Sequence, residues 1–205
     1  MAVTLRSLQA ADKNRLFAWR NSPEVAAYMY TDHQIGRDEH DRWFAGIEGD
    51  ARRVYWIIEL DGEPVGLANL YDIDRANGRC AWAYYLASPS VRGRGVGGAV
   101  EFQVIERVFG ELRLRKLWCE VLASNEAVWK LHQGFGFQIE ARFRGHVVKG
   151  GEAQDVVGLG LLKQDWLAAR DAIRERLDRI AQRSRSRTAS ADRSAPRPSQ
   201  SDDEA

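Results

Sequence analysis

The chain has 205 residues, 44% apolar and 29% charged, a balance that suits one globular domain with an appended tail. Its 30 Lys and Arg nearly cancel 29 Asp and Glu, leaving a formal charge of +1, which excludes the strongly basic footprint of a nucleic-acid binder. No apolar run approaches the roughly 18 residues of a membrane span, and the N-terminus lacks a signal-peptide core, so no membrane partner is expected and the expected location is the cytoplasm. Cys80 and Cys119 lie within apolar, strand-like runs and read as small buried residues of a reducing compartment.

In chain order, residues 3–8 alternate and predict a first strand. Residues 11–21 predict a helix carrying Leu16, Phe17 and Trp19, with Asp12 as its cap. Ser22-Pro23-Glu24 restarts a second helix with Pro in its first turn, and Trp43, Phe44 and Ile47 give residues 36–49 helical spacing. The pattern then turns to strands: residues 54–60, 65–71 and 80–87 form a meander across Asp61-Gly62 and Asn77-Gly78. Residues 98–110 predict a helix with Val100, Val104, Ile105 and Val108 on one face. A strand (116–122), a helix (126–133) and a closing hairpin (137–143 with 154–162) complete a domain over residues 1–165. Residues 166–183 predict a C-terminal helix. Residues 184–205, rich in Ser and charge and without a large apolar side chain, are expected to be disordered.

The informative unit is Ser88-Pro89-Ser90-Val91-Arg92-Gly93-Arg94-Gly95-Val96-Gly97-Gly98, set between a strand and an amphipathic helix. Its glycines let several backbone N–H groups point into one concavity, and the following helix adds free N–H groups and the positive end of its dipole. Arg92 and Arg94 supply charge for two phosphates. No Gly-Lys-Ser/Thr follows, and no βαβ unit precedes, so neither a Walker loop nor a dinucleotide fingerprint fits.

Two blocks in register with these elements resemble the GCN5-related N-acetyltransferase (GNAT) superfamily. Arg92-x-x-Gly95-x-Gly97 matches its acetyl-CoA signature, and Asn125, Val128, His132, Gly136 and Phe137 answer its Asn-x-x-Ala-x-x-x-Tyr-x-x-x-Gly-Phe block. The resemblance covers residues 3–163. It implies an α/β (α+β) fold with a mixed, mostly antiparallel sheet of about seven strands, splayed between the fourth and fifth, and flanked by helices. It also implies acetyl-CoA as acetyl donor, with no metal. Residues Arg92, Gly93, Arg94, Gly95, Val96, Gly97, Gly98 and Asn125 would hold the donor, and Leu86 and Ala87 would meet its pantetheine arm. Where many relatives place a tyrosine that protonates the departing thiolate, this chain has His132, and imidazolium is a competent donor near neutral pH.

Glu120 interrupts the apolar strand Leu117-Trp118-Cys119-Glu120-Val121-Leu122. A carboxylate there is a candidate base that draws the ammonium proton through a water, with its pKa raised by apolar neighbours; the alternative is a solvent-facing strand residue. On the acceptor side, Trp19-Arg20-Asn21, Tyr28-Met29-Tyr30-Thr31-Asp32-His33 and Glu39-His40 offer stacking surfaces and phosphate donors. This run is similar to N-acetyltransferases of pseudaminic acid biosynthesis, which acetylate the 4-amino group of a UDP-linked amino-dideoxy sugar destined for flagellin glycosylation. The resemblance implies substrate contacts from Arg20, His40 and Tyr84, and a monomer or homodimer. Ribosomal-type protein Nα-acetyltransferases share the Trp-Arg-Asn opening, so a protein N-terminus stays open as acceptor. A non-catalytic acetyl-CoA-binding module is the alternative from another class.

Overall fold

The computed structural model describes residues 2–91 and 93–193, with the side chains of the last helix described to residue 182. In chain order the elements are β1 (Val3–Ser7), α1 (Lys13–Arg20), α2 (Pro23–Ala26), α3 (Arg37–Ala45), β2 (Val54–Leu60), β3 (Glu63–Asp74) and β4 (Arg79–Leu86). There follow α4 (Val96–Glu106), β5 (Lys116–Leu122), α5 (Glu126–Gln133), β6 (Gln138–Lys149), β7 (Glu152–Leu162) and α6 (Lys163–Arg193). Seven strands form one sheet in the order β1-β2-β3-β4-β5-β7-β6. Neighbours are antiparallel except β4 and β5, which run parallel.

Two apolar clusters cover the sheet's faces. The larger joins Val100, Val104, Ile105 and Val108 to Trp82, Leu117, Leu159 and Leu161, and takes in Trp166 and Ile173 from α6. The predicted apolar stripe of α4 is therefore the face that meets the sheet. On the other side Leu16, Ile57 and Leu67 make a smaller core, flanked by Trp19, Trp43, Phe44, Tyr55 and Tyr85.

Several boundaries differ from expectation. The helix expected over 11–21 opens as a 3-10 turn at Ala10–Asp12. Asp12 does not cap α1; its carboxylate accepts the Gln9 N–H (3.0 Å) and binds both Arg6 and Arg15, because paired guanidinium groups outweigh a single cap bond. β6 extends to Lys149, well beyond the apolar residues that marked it, since register shifts around Ile139–Ala141 and Phe143–Val147 let it keep pairing with β7. The C-terminal helix starts at Lys163 and runs to Arg193. The tail expected to be disordered from 184 thus overlaps helical backbone, and its residues beyond 193 lie outside the described residues.

Candidate active site

β4 and β5 pair over three positions only: Arg79 with Lys116, Cys80 with Leu117, and Ala81 with Trp118. Past that point they part, and Trp82–Leu86 and Cys119–Leu122 become opposite walls of a cavity of about 440 Å3. Residues of α5 and the segment after α2 complete the lining. Ala87 N–H is bonded to the Val65 carbonyl (2.8 Å). Strand alternation turns the backbone groups of Tyr84 and Leu86 the other way, into the cleft, as an unpaired edge for an amide-bearing chain. Of the two residues expected to meet pantetheine, Leu86 lines the cleft. Ala87 has its N–H already engaged.

The glycine loop adjoins this cleft. Gly93 (φ +72°) and Gly95 (φ +81°) are left-handed, and Gly95 is the residue that starts α4. Gly93 and Arg94 are exposed, whereas Val96 is buried and anchors the helix start. Arg92 lies outside the described residues. A Cβ at Gly97 would stand 2.9 Å from the Tyr84 hydroxyl, so glycine there lets the phenol reach the loop. That position puts Tyr84, expected on the acceptor side, with its hydroxyl at the cofactor loop. Its ring stacks on Trp82 (5.3 Å between centroids, 14°), and burial pushes its phenol far above the usual range. Asn125 lines the cleft at the start of α5, its carbonyl accepting the Val128 N–H (3.1 Å).

Glu120, half-buried on β5, lines the cleft and accepts a hydrogen bond from the Tyr30 hydroxyl (Oε2, 3.0 Å). Burial and this carboxylate together hold the Tyr30 phenol above its ordinary pKa, so it remains a donor. His132 also lines the cleft, at 3% exposure, with Nδ1 2.9 Å from Oε1 of the fully buried Glu101. Burial alone would lower the His132 pKa; the Glu101 carboxylate and the Cys119 thiol outweigh it and raise it to about 10. Burial pushes the Glu101 carboxyl up as well, and among the described residues its Oε2 has no partner. The pair holds one proton between two buried groups, and the direction that matters for chemistry is upward at His132.

Arg20 and His40 do not line the cleft. His40 is fully buried, with Nε2 donating to the Lys13 carbonyl (2.8 Å) and Nδ1 facing Arg20 Nη1 (3.4 Å). Its ring packs among Phe17, Trp43 and Phe44, and Arg20 stacks on Trp43 at 4.2 Å. A histidine suits this helix interior because both ring nitrogens are engaged, and burial lowers its pKa and keeps it neutral. Both residues, expected to contact substrate, pack and hydrogen-bond here within the N-terminal helices.

Three participants escape a reading of the sequence. Glu101 falls on the apolar stripe of Val100, Val104, Ile105 and Val108, and a lone acid on that face was the available signal. Tyr30 belongs to the aromatic run already noted, without a sign that it would meet Glu120. Lys149 ends β6, and its Nζ donates to the carbonyls of Ala26 (2.9 Å), Met29 (3.1 Å) and Thr31 (3.3 Å). It ties the segment over the cleft to the β6–β7 hairpin.

A splayed β4–β5 pair, a left-handed glycine loop opening α4, and a carboxylate and an imidazole in the cleft between them define a CoA-dependent acyltransferase. The family model for the acetyltransferase (GNAT) domain matches residues 2–138, and the chain belongs to that family. It is an N-acetyltransferase that uses acetyl-CoA. It is 26% identical to acetyltransferase PseH of Campylobacter jejuni over 64% of this chain and 80% of the relative. It is 23% identical to spermidine N(1)-acetyltransferase of Escherichia coli over 82% of this chain and 89% of the relative. Spermidine N-acetyltransferase from Vibrio cholerae, solved in complex with CoA and spermine, superposes with a TM-score of 0.75 at 20% identity, over 80% of this chain and 98% of that one. Among the described residues no His/Cys/Asp/Glu group could hold a metal ion, and no helix is long and apolar enough to cross a membrane.

Proposed function

We propose that the chain acetylates the 4-amino group of a UDP-linked amino-dideoxy sugar, the acceptor used in pseudaminic acid biosynthesis. One juxtaposition carries the reading. The run Tyr28-Met29-Tyr30, within the segment similar to that class, lines the cleft and hydrogen-bonds Glu120 through Tyr30. The similarity to PseH supports the same acceptor. In this reading Glu120 takes a proton from the ammonium, directly or through one water, and the free amine attacks the thioester carbonyl. As the C–S bond breaks, the thiolate takes the proton held at His132, and the proton that the new amide nitrogen sheds passes to water. An imidazole whose pKa is raised to about 10 is charged at neutral pH, so His132 has a proton to give to the departing thiolate.

A small polycationic amine is the second reading, favoured by the carboxylates of Glu24 and Glu120 and the absence of Lys or Arg among the described lining residues. Incubation with acetyl-CoA and either the 4-amino UDP-sugar or spermidine separates the two by the acetyl mass gained. Acetylation of spermidine alone overturns the sugar reading, and robust acetylation of a protein N-terminus overturns both. In either case Glu120→Gln is expected to lower kcat by about 10²-fold at neutral pH with little change in the KM for acetyl-CoA.

A further inference from the structure

Glu120 lines two cavities, and the second leads away from the cofactor. Along β5, Leu117, Cys119 and Val121 are buried, while Lys116, Trp118 and Glu120 share the opposite face and stay partly exposed. The N-terminal helices build their core on β2 and β3, with Leu16 against Ile57 and Leu67. Over β5 and β7 the floor is made by small residues, Gly158 and Ala141 beside Glu120. A depression of about 210 Å3 opens there, lined by Glu120, Trp118, Phe143, Arg79 and Lys116 among others. Arg79 and Trp118 also border a third depression of about 610 Å3, which continues to Arg52, Asp72 and Arg75 at the β3–β4 turn. Neighbouring cavities share lining residues: Glu120 belongs to the first and second, Arg79 and Trp118 to the second and third. From Glu120 to Lys116 the trough runs four residues of strand, about 13 Å.

Its chemistry changes along that length. Next to Glu120 it offers the rings of Trp118 and Phe143, surfaces suited to a deoxy sugar's apolar face. Farther out come four cations: Arg79, Lys116, Arg52 and Arg75. Three of them hold surface ion pairs, Arg79 with Asp74 (3.6 Å), Lys116 with Glu140 (2.6 Å) and Arg52 with Asp72 (3.1 Å). Exposed pairs of this kind are worth roughly 0–1 kcal/mol, so a ligand's phosphates displace the carboxylates readily. Arg75 is exposed, lines the depression, and forms no ion pair among the described residues. Asp72 and Asp74 then remain as acceptors for ribose hydroxyls.

Resting on the sugar-nucleotide reading above, we infer that this trough is the nucleotide subsite. The sugar lies against Trp118 and Phe143 with its amine at Glu120, the diphosphate at Arg79, Lys116 and Arg75, and the nucleoside in the depression at the β3–β4 turn. The cleft itself then needs no cation for the diphosphate, because the phosphates stay outside it.

The test is Arg75→Gln with Arg79→Gln, two exposed positions remote from the acetyl-CoA loop. Initial-rate kinetics should show the KM for the UDP-amino sugar and the Ki for UDP rising together by about tenfold or more, with kcat and the KM for acetyl-CoA nearly unchanged. If the sugar is acetylated and UDP inhibits wild type and double variant alike, the subsite is overturned and the acceptor reading survives. If UDP fails to inhibit the wild type and the sugar is not acetylated, both fall together.

Discussion

Glu101 and His132 are 31 residues apart and meet at the buried wall of the cleft, where the carboxylate favours a proton on the imidazole. The Glu101 carboxylate keeps imidazolium favoured against the burial that opposes it, and the pH dependence follows. His132 has a folded pKa (about 10) above its unfolded value (6.5), so its contribution to stability is complete below about 6.5. That contribution declines as pH rises toward 10 and is gone above it. The Tm of wild type should therefore fall relative to His132→Gln between pH 6.5 and 10, read by thermal unfolding. In catalysis the basic limb of kcat should lie near pH 10. Glu101→Gln, which keeps shape and removes charge, should move that limb down by about one unit or more while His132 still donates. An unmoved limb would assign Glu101 to packing alone.

At the scale of elements, the glycine loop is fixed from outside the acetyltransferase core. α6 lays Leu177 against Gly98 and Ile180 against Gly95, and Arg176 donates to the Gly134 carbonyl (2.7 Å) beside the end of α5. A Cβ at Gly95 would meet Ile180 Cγ2 at 2.9 Å, on a backbone already at φ +81°. Gly95→Ala is expected to cost about 1–2 kcal/mol in urea unfolding and to weaken CoA binding in titration. Adding Ile180→Ala should recover only the contact part of that loss, since the left-handed backbone remains. The loop was legible because glycines and a following apolar stripe are local signals. The helix that braces it was legible as a helix, whereas its landing place was not: α6 composition says nothing of which groove it fills.

Across the whole molecule, one wall of the cleft is tied together by segments far apart in the chain. Lys149 gathers three carbonyls from the segment between Ala26 and Thr31, and Gly150 N–H donates to Asp32 (2.8 Å). Lys149→Met should free that segment and raise the acceptor KM by about fivefold or more, leaving CoA affinity in place; a matched rise in both would point to general loosening instead. The strand meander, the closing hairpin and the order of strands and helices around the cleft follow from period-two runs, turn dipeptides and one amphipathic stripe. All of these act between near neighbours, and the sequence by itself determined them, along with Glu120 as the polar residue of an apolar strand. Only the tertiary structure decided that His40 packs inside the N-terminal helices, that Tyr84 turns to the cofactor loop, and that Glu101 stands behind His132. In each case the outcome depends on which distant face closes over a side chain, and that is set by packing, which leaves no periodic mark in the chain.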